Sequence, residues 1–134
     1  MFVKYSLGVD LVYVMEFQRF LEDSASSFFE KTFTEVERSI AFRKPFSQRA
    51  LFYSGRFAAK EAFVKALDGP RLHLPPELKI SYPEIEIRND EFGRPFYRFY
   101  GELSEYLRKL NFSGSQLSLS HSGDYAIAYA LIEY

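Results

Sequence analysis

The segment SQRALFYSGRFAAKEAFVKAL, residues 47–67, constrains this chain more than any other. Its residues are mostly good helix formers, and the spacing predicts one long helix from about Ser47 to Leu67. On a helical wheel Leu51, Phe52, Gly55, Ala58, Ala59, Ala62, Phe63 and Ala66 share one face. Gly55 and the four alanines are expected to let the helix lie very close to a sheet. The charged residues fall at the borders of that face: Glu61 and Lys65 on one side, Arg56 and Lys60 towards the other. Charges at a helix–sheet seam are partly desolvated and need partners.

The rest of the chain supplies the sheet. Residues 2–14 predict a strand in which Val3, Tyr5, Leu7, Val9 and Leu11 alternate onto one face, with Asp10 on the other near Gly8 and Val12. Residues 16–45 read as short helices. Within them FTEVERSIAF carries a capping box, Thr34 as N-cap and Glu37 three residues on, and Pro45 ends the helix by excluding Lys44 from the helical region. DGPRLHLPP is a loop. Two alternating runs flank NDEFG, which predicts a hairpin with Gly93 at positive φ. GELSEYLRKL is a short amphipathic helix with Leu103, Tyr106, Leu107 and Leu110 as its stripe. A second hairpin turns at Ser122–Gly123–Asp124. In its last strand Tyr125, Ile127, Tyr129 and Leu131 face one way, and Ala126, Ala128, Ala130 and Ile132 the other. That strand is expected to be central and buried on both faces. With no Pro/Gly/Ser linker, residues 1–134 read as a single α+β domain, an antiparallel sheet packed against one long helix.

Composition narrows the function. The 134 residues suffice for one real core, and 47% apolar content argues against disorder. A net charge of −1 argues against bulk electrostatic binding to nucleic acid or an anionic membrane. The absence of cysteine excludes disulfides, thiolate metal sites and cysteine nucleophiles, and a cytoplasmic setting fits it. MFVKYSLGVDLVYVMEF is not expected to be a signal peptide, having one Lys, an Asp at position 10 and no small-residue cleavage pattern.

Three features carry candidate chemistry. Glu61 and Lys65, at i and i+4, read either as a surface ion pair or as groups facing a ligand at the seam. Asp10 inside LGVDLVYV is unusual for a strand. It reads as a strand-end residue or as a metal ligand. With Glu61 it would form a two-carboxylate site for a hard cation such as Mg2+, whose other ligands come from water and phosphate. His121 with Ser122 sits at a hairpin mouth, as a structural residue or as a phosphate contact, while His73 receives no role. Ser120, His121 and Asp124 lie too close on one hairpin for a hydrolase triad. Walker A and Rossmann fingerprints are absent, so a phosphate ligand here would be held by side chains and a metal.

GVD in a first strand, GRFAAKEAFVKAL in the long helix, EIEIRNDEFGRPFYRF in a hairpin and LSLSHSGDYAIAYALIE at the end resemble the holo-acyl carrier protein synthases, the short, single-domain type of 4′-phosphopantetheinyl transferase. The resemblance covers most of the chain, in order. It implies transfer of the phosphopantetheine arm of coenzyme A to a serine of an apo acyl carrier protein, releasing adenosine 3′,5′-bisphosphate. It further implies that Asp10 and Glu61 hold Mg2+, that Lys65 contacts a phosphate, and that Glu61 orients a water or the serine as general base. Arg56 and His121 match positions that bind the nucleotide end of coenzyme A. Lys60 and Ser122 fall within the matching segments and are placed at the cofactor site. A homotrimer with sites between subunits is also implied.

Two positions depart from that pattern. Where the family carries basic residues that grip an acidic carrier, this chain has Glu16, with Arg19 one turn later and Glu22 and Asp23 beyond. The Gly-rich turn after the long helix is replaced by the longer DGPRLHLPPELKISYP.

Overall fold

A computed structural model of the chain describes residues 4–134. Residues 2 and 3 of the expected first strand, Val3 among them, lie outside the described residues. Strand β1 runs Tyr5–Tyr13 and leads into helices α1 (Val14–Glu22), α2 (Phe28–Thr32) and α3 (Glu35–Arg43). The long helix α4, Phe46–Asp68, extends one residue beyond its expected bounds at each end. Two 3-10 turns follow, Gly69–Arg71 and Tyr82–Glu84. Then come the hairpin β2 (Ile85–Asn89) and β3 (Pro95–Phe99), helix α5 (Gly101–Lys109), and the hairpin β4 (Gly114–Ser122) and β5 (Tyr125–Glu133).

All pairings are antiparallel, but they form two sheets where one was expected: β1-β5-β4, and β2-β3 apart from it. The middle hairpin makes its own ladder, with β3 lying beside the edge strand β4 and β2 against α4. Strand β5 is central, as its sequence predicts. It is not buried on both faces, however: Ala126, Ala128, Ala130 and Ile132 are sealed against the helix, while Tyr125 and Tyr129 are each 48% exposed. Paired residues of an antiparallel ladder point the same way, so Tyr5, Leu7, Val9, Leu11 and Tyr13 of β1 continue this outward face and are exposed too.

Close packing of α4 is real, yet the glycine responsible is not Gly55. A Cβ on Gly55 would meet nothing within 4 Å. A Cβ on Gly8 would collide with the Ala62 carbonyl oxygen and come within 2.7 Å of the Ala66 nitrogen. Strand and helix backbones therefore touch at Gly8, and Ala58, Ala59, Ala62 and Ala66 are fully buried around that contact. Helix α4 is also enclosed on its other side. There Phe17, Phe28, Phe29, Phe33, Tyr53 and Phe57 form a cluster of tilted and edge-on rings, which anchors α1 and α2.

Helix α3 starts at the expected capping box: the Glu37 nitrogen donates to Thr34 Oγ1 at 3.2 Å, and the Thr34 nitrogen to Glu37 Oε1 at 2.9 Å. Gly93 and Gly123 take φ of +84° and +56° at the two hairpin turns, which favours glycine at both.

Candidate active site

The site forms where α4 crosses the larger sheet. The ladder aligns Asp10 of β1 with Ala128 of β5 and Leu119 of β4, and the next inward row is Val12, Ala126 and His121. Asp10 and His121 thus share the helix-facing side of the sheet. The alanines between them keep the middle of that face low, and α4 supplies the groups above it.

Lys65 closes on Asp10. Its ammonium donates to Asp10 Oδ1 at 2.9 Å and to the Val9 carbonyl at 3.1 Å. The lysine side chain is 53% exposed and the aspartate 15%. Lys65 therefore pairs with the strand carboxylate across the seam, not along the helix with Glu61. Glu61 lies one turn earlier on the helix, with the Tyr82 side chain near it. Burial pushes the Tyr82 phenol well above its ordinary pKa, and the nearby Glu61 and Asp10 push it the same way. Both carboxylates thus lie close enough for the phenol to feel their charge.

A cavity of about 150 Å3 opens further along α4, lined by Phe52, Gly55, Arg56, Leu119, Ser120 and His121 among others. The Arg56 guanidinium lies 4.3 Å above the Phe52 ring, donates to Asn89 Oδ1, and keeps a buried Nε with no hydrogen-bond partner among the described residues. Burial lowers its pKa, against the opposing charge of Glu37. An orphaned donor on a buried cation favours an anion in this cavity. Arg56 and His121 meet here. Ser122 is exposed at the hairpin end and is not among the lining residues.

Lys60 stands apart from all of these. Expected at the cofactor site, it is fully buried, and its ammonium donates to Glu37 Oε1 at 2.8 Å, to the Tyr82 carbonyl at 3.1 Å and to the Ile85 carbonyl. Three donors meet three acceptors, so none is left for a ligand. Tyr82 and Asn89, conversely, carried no sequence signal. Both stand in ordinary strand-flanking positions, and only the packing of the middle hairpin on α4 brings them to the site.

The donor set suits a hard cation of low protein coordination. Asp10 and Glu61 offer carboxylate oxygens, and the described residues contain no group of three or more His, Cys, Asp or Glu able to hold a metal. Such a site leaves most of the coordination to water and to a phosphate ligand, as Mg2+ prefers. The described residues also contain no helix long and apolar enough to cross a membrane.

Fold and site together define an α+β protein with carboxylates and an arginine-lined cavity along one helix. The 4′-phosphopantetheinyl transferase superfamily matches residues 6–130, and the chain belongs to it. It is 36% identical over 129 residues to the holo-[acyl-carrier-protein] synthase of Geobacter metallireducens, covering 96% of this chain and 97% of that one. To the synthase of Paramagnetospirillum magneticum it is 39% identical over 130 residues, covering 94% and 92%. Among solved structures, an ACPS–CoA complex from Chronobacterium ammoniagenes superposes with a TM-score of 0.85 at 34% identity, covering 98% of each chain.

Proposed function

We propose that this chain transfers the 4′-phosphopantetheine group of coenzyme A to a serine hydroxyl of an apo acyl carrier protein. One observation carries the reading beyond family membership. The cavity holding the unpartnered Arg56 Nε and His121 lies on the same sheet face as Asp10, five residues of helix from Glu61. That is a rise of about 7.5 Å. A ligand with a terminal phosphate at one end and a diphosphate at the other spans the two.

In this reading Arg56 and His121 take the nucleotide end of coenzyme A. The diphosphate lies over the seam, beside Asp10, Glu61 and Lys65. The Lys65–Asp10 pair is exposed enough to be weak, so the ammonium turns readily to a diphosphate oxygen. Glu61 orients the serine hydroxyl, or a water beside it, as general base. The serine oxygen forms a bond to the phosphorus that bears pantetheine. The bond from that phosphorus to the bridging oxygen breaks, and adenosine 3′,5′-bisphosphate leaves with the electron pair. Asp10 and Glu61 would hold Mg2+, which would offset the negative charge that develops on the diphosphate.

The outward sheet face supports a homotrimer. Seven large apolar side chains of β1 and β5 (Tyr5, Leu7, Val9, Leu11, Tyr13, Tyr125 and Tyr129) are exposed together, more than a lone chain ordinarily leaves to water. A solution molar mass three times that of the chain is the expected result. A cytoplasmic setting goes with dependence on coenzyme A.

The test of activity is incubation with coenzyme A, Mg2+ and a panel of apo carriers, followed by intact-mass measurement. A carrier heavier by one phosphopantetheine supports the reading. Coenzyme A binding without mass gain on any carrier would leave a coenzyme A- or carrier-binding scaffold of the same fold.

A further inference from the structure

Two buried cations sit on α4, and only one has a carboxylate partner among the described residues. Lys60 has Glu37; Arg56, 8% exposed, has none. The charge of Glu37 reaches Arg56, but that carboxylate is already bound by Lys60 and by the Thr34 and Ile87 nitrogens. The guanidinium instead lies on the Phe52 ring and donates to the side-chain oxygen of Asn89. Burying a cation beside a neutral partner is costly unless an anion completes the site.

Asn89 is the last residue of β2, and the turn after it is braced from within. Asp90 Oδ1 accepts from the Phe92 and Arg94 nitrogens at 2.9 and 2.8 Å. The Gly93 nitrogen donates to the Asp90 carbonyl at 3.0 Å. The Gly93 carbonyl is thereby fixed, and Asn89 Nδ2 donates to it at 2.9 Å. A carbonyl can only accept and a guanidinium can only donate, so an amide between them has one orientation. An aspartate would not serve here, because an ionised carboxylate has no donor for Gly93 and would neutralise Arg56.

We propose that Asn89 is a positioning residue, which fixes the Arg56 guanidinium with an uncharged acceptor and so reserves its charge for a terminal phosphate of the ligand. The inference rests on the assignment of Arg56 and His121 to the nucleotide end of coenzyme A. The Phe52 face sets the plane of the guanidinium, and Asn89 sets its rotation within that plane. Arginine keeps its proton even when buried, so a full positive charge is left in the cavity beside His121. Asn89 thereby sets specificity as well as orientation: a ligand carrying the 3′-phosphate is preferred over one that lacks it.

The experiment measures, by calorimetry, binding of adenosine 3′,5′-bisphosphate and of adenosine 5′-monophosphate, which lacks the 3′-phosphate. Wild type, Asn89→Asp, Asn89→Ala and Arg56→Gln are compared, with melting curves alongside. Removing Arg56 leaves no carboxylate orphaned, so Arg56→Gln is expected to fold. Asn89→Asp keeps the shape and pairs Arg56 internally. Its expected result is bisphosphate binding weakened about 10–100-fold, the range of one hydrogen bond to a charged group, with monophosphate binding changed by less than about 3-fold. Asn89→Ala frees the guanidinium to turn but leaves its charge, so the same preference is expected to fall by only about 3–10-fold. Equal weakening of both nucleotides, or a lowered melting temperature with the preference intact, would make Asn89 a brace of the hairpin only and overturn the proposal. So would wild-type preference in both Asn89 variants while Arg56→Gln loses it, and in that case the Arg56 assignment survives. Wild-type preference in Arg56→Gln would overturn that assignment and the proposal together.

Discussion

Helix α4 carries two lysines five residues apart, and each pairs with a carboxylate at nearly the same distance, 2.8 Å for Lys60–Glu37 and 2.9 Å for Lys65–Asp10. The first pair is excluded from water altogether; the second leaves its lysine half exposed. Glu37 also accepts from the Thr34 and Ile87 nitrogens, so the buried pair ties α3, α4 and β2 into one unit. The exposed pair ties nothing that packing does not already hold. A buried pair is costly to break, because the survivor is an uncompensated charge, whereas an exposed pair contributes little and can change partners. The two sides of one helix therefore differ: the charge that cannot move holds the domain together, and the charge that can move is open to solvent at the seam where the proposed substrate lies.

The same substitution at both lysines breaks this comparison most directly. Lys60→Met leaves Glu37 buried without its cation and is expected to lower unfolding free energy by ~3–5 kcal/mol in urea melts. Lys65→Met is expected to change it by less than ~1 kcal/mol while lowering turnover. Equal destabilisation by the two would show that exposure does not separate their roles. Next in size come the carboxylates. Glu61→Gln and Asp10→Asn each keep shape and remove charge, and are expected to reduce turnover by ~100-fold or more with melting temperatures near wild type. Wild-type turnover in either would remove that residue from the proposed metal site.

Much of this division is local and hence legible in sequence. The bounds of α4, the Thr34–Glu37 box and the glycines at 93 and 123 depend on near neighbours, and each stands where periodicity and turn chemistry put it. The meeting of Arg56 with His121 needed only strand and helix to pack as their faces suggest, whereas helix spacing sets Lys65 beside Glu61 and the fold pairs it with Asp10. What was not legible depends on distant partners. Lys60 and Lys65 are the same residue type on the same helix. Only Glu37 and the carbonyls of Tyr82 and Ile85, more than twenty residues away, seal one of them. Gly8 and Gly55 exchange their expected importance because the sheet, not the helix, supplies the surface that must be flat. The separation of β2-β3 into its own sheet likewise follows from which edge strand it meets, a non-local choice.

The smallest expected effect extends the contrast to a charge with no partner to hold or release. Glu16 is exposed in the first turn of α1, with Arg19 exposed one turn on. If solvent-facing charge is what this chain offers to its partners, an acidic residue here repels an acidic carrier during approach, and its removal acts on encounter more than on chemistry. Glu16→Arg is therefore expected to lower KM for ordinary acidic carriers severalfold at low ionic strength, with kcat and the melting temperature unchanged. The gain is expected to fade as salt screens the surface. An effect on kcat instead would mean that α1 communicates with the seam, and no effect at any salt would place Glu16 outside the docking surface. Either result would confine the division between fixed and mobile charge to α4 and the strand it crosses.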